Sequence, residues 1–351
     1  MNDTLQMLET SVQRILASAW QNDAHSAAGV WPVELWRALG ELVIGRLLIP
    51  EERGGAGLSF SEGLSFLRFV GTCAPALPLP VAETIAAGWL LNAAGIEMPS
   101  GPLTIGAGSD AHAPVLRKHG GSWILSGTIP RVPWAGHVSF IVVAGKDSGG
   151  EEALAVVSLE DARIEKGLNL AGEPRDTVHF DGARVEATAR CSGAIDRVLR
   201  AGASIRTAQI AAACQAALEM TVDYARTRQQ FGRAIGRFQA VQQNLAVMAG
   251  QAAAAAGAAE LAGDAMDGRG SSLGVAFGKA RAGAAAGVVA ALAHQTFAAI
   301  GFAEEHTLHT ITKRLLSWRD EMGPENYWAR RIGELAFDEG GPRLWPLMSG
   351  T

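Results

Sequence analysis

The chain has 351 residues, 48% of them apolar and 19% charged. That is a globular composition, not a disordered one, and it is long enough for two or three domains at roughly 100–200 residues each. A net charge of −5 argues against a dedicated nucleic-acid binder, which would carry a strong basic patch. Cys73, Cys191 and Cys214 are widely spaced, so they offer neither a disulfide framework nor a CxxC metal site and fit a reducing cytoplasm.

Residues 1–101 read as helices broken by Pro and Gly. The opening MNDTLQMLETSVQRIL lacks the apolar core of a secretory signal. Its Leu5, Leu8, Val12 and Ile15 follow a helical period, as do Trp36, Leu39 and Val43. The loop Ile49-Pro-Glu-Glu-Arg-Gly-Gly-Ala-Gly-Leu58 breaks the pattern, and Ser59 or Ser61 is placed to cap the next helix. After Ala74-Pro-Ala-Leu-Pro-Leu-Pro80 a further helix is expected to about Ala94.

Residues 102–190 turn to strands. Ser122-Trp-Ile-Leu125 runs into the turn signal Ser126-Gly127. Val138–Val143 and Ala153–Ser158 are short apolar runs. Thr177-Val-His-Phe180 precedes Asp181-Gly182, a hairpin dipeptide. So many short strands predict an antiparallel barrel or sandwich.

Residues 191–351 are helical again, with no proline between Pro174 and Pro324. Ala-rich segments at 201–225, 238–266 and 272–298 predict long, closely packed helices. The most apolar run, Ala282–Ala293, meets His294 and Gln295 after about a dozen small residues, too short for a membrane span. The fold class is therefore α+β: an N-terminal helical domain, a middle antiparallel β-domain and a C-terminal four-helix bundle.

The most informative stretch is the junction after Tyr224. Arg226, Arg228, Arg233 and Arg237 crowd one bend between two helices. Such a cluster repels itself unless an anion lies close, and a diphosphate suits it because guanidinium forks pair bidentately with phosphate oxygens. A solvated basic corner is the other reading, and the residues alone leave both open.

Arg226-Thr-Arg-Gln-Gln-Phe-Gly-Arg-Ala-Ile-Gly-Arg-Phe-Gln-Ala-Val-Gln242 resembles the C-terminal signature of the acyl-CoA dehydrogenase family. Ile49–Leu58 resembles the family's P-E-x-x-G-G-x-G loop, Gly106-Ala-Gly-Ser-Asp110 its G-x-G-S-D motif, Leu125-Ser-Gly-Thr128 its L-x-G turn, and Gln295–Phe302 its Q-x-x-G-G-x-G-F run. Order and rough spacing agree over nearly the whole chain. The resemblance implies FAD-dependent α,β-dehydrogenation of an acyl-CoA thioester. A carboxylate takes the Cα proton, hydride passes to flavin N5, and an electron-transfer flavoprotein accepts the electrons. It also implies FAD bound between subunits of a dimer or tetramer. By resemblance Arg228 and Gln239 hold the diphosphate and adenine side of FAD, with Phe231 packing beside it. Gln295 and the following Ala298 and Ala299 come from the next helix pair, and Ser109 and Trp134 stand near the flavin ring. Phe231 and Trp134 read equally as core aromatics.

Several positions depart from that pattern. The family's Gly-Gly is Ala298-Ala299, where glycine would allow close backbone approach to a phosphate. The base position falls at Met322, followed by Gly323, with Asp320 and Glu321 adjacent. A slip of one residue makes Glu321 the candidate base; otherwise Asp320 and Glu321 are solvated helix-end acids. The alternative base position on an earlier helix falls at Gly202, and the substrate-site arginine position at Ala203. Ile129, Pro130 and Pro133 alter the flavin-side loop. Three functions remain open: a dehydrogenase active as a homo-oligomer, a base-deficient subunit completing an FAD site with a related chain, and a flavin-free scaffold. His294, His306 and His309 read as structural, and no metal constellation or Walker loop stands out.

Overall fold

The computed structural model describes residues 3–22, 32–75, 77, 79–108 and 113–349. Ser109, one of the expected cofactor residues, lies outside them. Contacts group the chain into two units, residues 1–59 with 78–205 and residues 60–77 with 206–351. This differs from the sequence division at 101 and 190, because strand and helix content mark segments while packing marks units.

The first unit contains α1 (Asp3–Asn22), α2 (Val33–Glu41), α4 (Val81–Ala93) and the strands. In chain order these are β1 (Leu103–Gly106), β2 (Val115–His119), β3 (Ser122–Pro133), β4 (Phe140–Asp147), β5 (Glu152–Ser158), β6 (Arg163–Glu165) and β7 (Arg175–Arg190). Strands β4, β2, β3, β7 and β5 pair in that order and β5 pairs back to β4, so the sheet closes on itself. Most pairings are antiparallel, as expected, but β1 and β2 both run parallel to β4. Inside lie Leu125, Ile129, Val132, Ile141, Val143, Ala155, Val157 and Val178. These alternate along their strands toward one face, while β4 and β5 bury the residues between them as well, Val142, Ala144, Leu154 and Val156 among them.

Asp181-Gly182 is not a hairpin turn: β7 runs straight through it. Phe180 pairs with Gly127 and Ala183 with Leu125, so Asp181 and Gly182 face the single residue Ser126. This is a β-bulge, which needs the same positive φ (70° at Gly182) that a hairpin turn would. Ser126-Gly127 likewise lies within β3 and not at a turn.

The Ile49–Leu58 loop is a knot of backbone carbonyls. A Cβ on Gly55 would come within 2.0 Å of the Ile49 oxygen, so only glycine fits. Arg46 donates to the carbonyls of Arg53 and Met98, and Arg53 donates to Asn92 Oδ1 and the Ile96 carbonyl.

The second unit holds α3 (Phe60–Cys73), α5 (Ala194–Thr227) from Arg206 onward, α6 (Gln239–Met266), α7 (Gly274–Phe297), α8 (Leu308–Asp320), α9 (Glu325–Glu339) and α10 (Gly341–Ser349). Helices α6 and α7 pack closely, because a Cβ on Gly278 would stand 2.6 Å from the Ala258 oxygen. Both helices bury many alanines, including Ala255, Ala259 and Ala262 on α6 and Ala282, Ala285 and Ala286 on α7, and Gly278 of α7 faces Ala258 and Ala262 of α6. By length and composition both helices are long and apolar enough to cross a membrane. That corrects the estimate from Ala282–Ala293, which is only the middle of α7. Helix α3 is capped from afar: the Asp267 carboxylate accepts from the amides of Phe60 (2.7 Å) and Ser61 (3.0 Å).

Val43 follows the C-cap of α2 at φ 55° and ψ 29°, the left-handed position that usually carries glycine. A β-branched residue there is strained, and its side chain is 44% exposed, so it has little burial to lose. Val43→Gly is expected to raise the unfolding free energy by about 1 kcal/mol; a denaturant midpoint at or below the parent's would show that no strain is stored.

Candidate functional site

The arginine bend is a miniature hairpin. Helix α5 ends at Thr227, and β8 (Gln229–Gln230) pairs with β9 (Arg233–Ala234) across Phe231 and Gly232. Both turn residues have positive φ, 52° and 75°, as a type I′ turn demands. The Ile235 amide donates to the Arg228 carbonyl at 2.9 Å and closes the corner. Phe231 is 91% exposed and meets Phe238 edge-on, while the Arg233 guanidinium lies 4.2 Å over the Phe238 ring. Arg226 lies 3.8 Å from Asp223. Among the described residues, Arg228 and Arg237 have no carboxylate within ion-pair reach, and both are exposed. Gln239 is exposed as the first residue of α6.

The second expected group lies at the end of α7. Gln295 is exposed, and the chain then turns through a short 3-10 segment, Ala298–Phe302. Ala298 has φ 54° and ψ −139°, a conformation that belongs to glycine. The position where the resemblance leads one to expect glycine thus has a glycine-like backbone although the residue is alanine. Tyr224 stacks on Phe297 with ring centroids 4.2 Å apart. That contact brings the turn before Arg228 against the segment between Gln295 and Ala298, two parts of the sequence about seventy residues apart.

Around this stack lie the histidines. His294 stacks on Phe302 at 4.2 Å, its Nε2 is 2.8 Å from Thr312 Oγ1, and His306 packs on Phe297 at 4.6 Å. Burial pushes both His294 and His306 below the ordinary histidine value, and nearby His309 adds to it. No metal-holding group of His, Cys, Asp and Glu occurs among the described residues.

These residues fit one part of a flavin dinucleotide site. An unpaired guanidinium beside a bare aromatic ring and an exposed amide suits a diphosphate with a flat ring next to it. Trp134 lies in the other unit, 4% exposed in the core of the strand domain, with its ring 6.0 Å from that of His137.

Glu321 also has a different place from the one a base requires. Its Oε2 accepts from Arg206 Nε at 2.7 Å, and the two side chains are 5% and 0% exposed. Proton abstraction needs a carboxylate that reaches the substrate, whereas this one is turned into the bundle and held by a guanidinium. Met322 is half-buried at φ 54°, and Gly202 and Ala203 supply no ionisable group. Sequence reasoning missed Arg206 and Lys279, both fully buried beside this elbow. A single lysine in an alanine-rich helix looks like any solvated charge, so only the packing reveals it.

Comparison with known proteins identifies the family and the fold. Residues 2–98 match the acyl-CoA dehydrogenase N-terminal domain and residues 180–336 the acyl-CoA dehydrogenase C-terminal domain. The chain is 31% identical over 264 residues to acyl-CoA dehydrogenase FadE27 of Mycobacterium tuberculosis, covering 68% of each. It shares its fold with butyryl-CoA dehydrogenase from Megasphaera elsdenii (TM-score 0.85, 17% identity, 96% and 99% of the chains). It also shares it with the ChsE4-ChsE5 complex from Mycobacterium tuberculosis (TM-score 0.82, 22% identity, 97% and 99%).

Ala298→Gly is expected to stabilise the protein by about 1 kcal/mol, the strain of alanine in a glycine conformation less glycine's extra chain entropy. Thermal or denaturant unfolding reads it directly. The lowered histidines set a pH dependence as well. The folded state favours their neutral forms, so the unfolded chain binds more protons below the ordinary value. Their contribution is whole above about pH 6.5 and is lost as pH falls through the lowered values. The melting temperature should therefore drop between about pH 7 and pH 5, and less steeply in His294→Gln; parallel curves for the two proteins would refute the linkage.

Proposed function

The chain belongs to the acyl-CoA dehydrogenase family, a family of oxidoreductases, and on that premise we propose that it is the base-lacking subunit of an FAD-dependent acyl-CoA dehydrogenase built from two related chains. The observation that carries the reading is the elbow after α8. The base position is Met322, and the adjacent carboxylate of Glu321 is buried against Arg206 at 2.7 Å.

In this reading Arg228 binds the diphosphate with its bidentate fork. Phe231 covers apolar ring surface, and Gln239 adds an amide at the amino end of α6, where the helix dipole favours an anion. The Ala298 bend brings backbone close to the same ligand. Bound FAD supplies the hydride acceptor that dehydrogenation of a carbon–carbon bond requires. The proton acceptor comes from the related chain, because thioether sulfur in Met322 cannot take up the Cα proton. A solved relative of the same fold is itself described as a complex of two named chains, which agrees with such pairing.

The test is the flavin absorbance near 450 nm of the chain purified alone and co-expressed with a relative that carries glutamate at the base position. Flavin retained, and bleached by acyl-CoA, only in the co-expressed protein supports the reading. Bleaching by the chain alone would make it a complete homo-oligomeric enzyme, and a colourless protein in both preparations would make it a scaffold. In the assembled protein Arg228→Ala should weaken FAD retention by about 1.5–3 kcal/mol, the worth of a hydrogen bond to a charged group. Unchanged flavin content would remove Arg228 from the site.

A further inference from the structure

The elbow between α8 and α9 is gripped from several helices at once. Lys279 on α7 is fully buried, and its Nζ donates to the carbonyl oxygens of Arg319 (2.7 Å) and Gly323 (3.0 Å). Arg206 on α5 donates to Glu321 Oε2 and, through Nη1, to Gln209 Oε1. Trp328 on α9 donates from Nε1 to the Met322 carbonyl at 3.0 Å. A Cβ on Gly323 would come 2.6 Å from that same indole nitrogen, and its φ is 90°.

A buried arginine and a buried lysine around one carboxylate are a costly way to close a helix corner, and apolar residues of similar size would serve stability as well or better. Burial pushes Lys279 down to about 7, with Glu321, Asp320 and Glu325 opposing that shift and Arg206 adding to it. What the arrangement supplies, and apolar packing would not, is fixed direction. The backbone oxygens of 319, 322 and 323 and the side chain of 321 each have an assigned donor. Residue 322 is thereby held at φ 54°, a region that side chains rarely adopt unless the surroundings dictate it.

We propose that Arg206 and Lys279 are positioning residues that fix the Glu321–Gly323 elbow and so hold residue 322 at the acyl-thioester site. The inference rests on the function proposed above, in which this elbow is the segment that bears the base in a catalytic chain. It goes further in assigning the geometry of position 322 to two buried side-chain donors on other helices.

Met322→Cys places a thiol at the held position. Its alkylation by iodoacetamide, followed on its own peptide by mass spectrometry, is separated from that of Cys73, Cys191 and Cys214. In the assembled protein, adding Lys279→Met is expected to change that rate about fivefold or more through local opening of the elbow. Lys279→Arg keeps a cationic donor and should stay within about twofold of the parent. Should Lys279→Met fail to fold, Glu321→Gln weakens the same clamp and is read in the same way. Equal rates in the clamp variant and the parent overturn the positioning role.

Butyryl-CoA and octanoyl-CoA, with binding followed in parallel by equilibrium dialysis, should slow alkylation at 322, while CoA alone should not. Bound acyl-CoA that leaves the thiol unprotected overturns the placement of residue 322 and leaves the proposed function standing. Failure of the assembled protein to bind either acyl-CoA removes that function, and this inference with it.

Discussion

A guanidinium with no access to solvent must have a fixed anion beside it, and for Arg206 that anion is Glu321. Removing either partner of such a pair leaves an uncompensated charge and costs about 3–5 kcal/mol. Glu321 is thus committed before any substrate arrives. Its Oε2 is taken up by Arg206 Nε at 2.7 Å. Glu321, next to the base position, is engaged inside the bundle, and Asp320 beside it is exposed and paired with Arg319, so the proposed function looks for the base on a related chain. The functional reading follows from where one ion pair is buried.

Lys279, the third buried group at this elbow, lies on a helix built largely of very small residues. Alanine and glycine along α6 and α7 let the backbones close to contact, as at Gly278 against Ala258. Close packing leaves no room for water around Arg206 or Lys279, so their polar atoms must be satisfied by protein. The elbow carbonyls and Glu321 do that. Small residues also confer little shape of their own on the outer faces. The distinctive groups of this unit are therefore gathered at its corners: the hairpin of Phe231, the bend at Ala298 and the elbow at Met322.

Much of this was legible in the sequence, and the failures have physical causes. The long helices were plain because proline is missing from 175 to 323 and small apolar residues recur throughout. The arginine bend was legible from charge crowding, and its two turn residues do adopt the positive φ that a tight corner needs. Asp181-Gly182 was misread because a bulge and a hairpin turn ask the same conformation of the same residues. Choosing between them takes the register of the partner strand. The capping of α3 by Asp267 could not be found locally, since donor and acceptor are about two hundred residues apart. Trp134 reads as core or cofactor residue alike because an aromatic side chain serves both, and what the structure adds is its place in the strand-domain core. Arg206 and Lys279 were invisible for the converse reason: their helical spacing is that of surface charges.

The left-handed residues carry the argument one step further. Ala298 and Met322 both hold backbone conformations that their side chains oppose. A local sequence preference cannot be the cause, because alanine and methionine prefer the right-handed region. The bends are imposed from outside. At 298 the end of α7 is fixed by the Phe297 stack on Tyr224, and at 322 the elbow is fixed by Lys279, Arg206 and Trp328. A corner shaped by its neighbours keeps its form when its own side chain changes. The glycine and the carboxylate that the resemblance leads one to expect can therefore both be replaced while the outline of the site survives. Under the proposed function, that is the physical condition that would let this chain serve as half of an active site without the residue that does the chemistry.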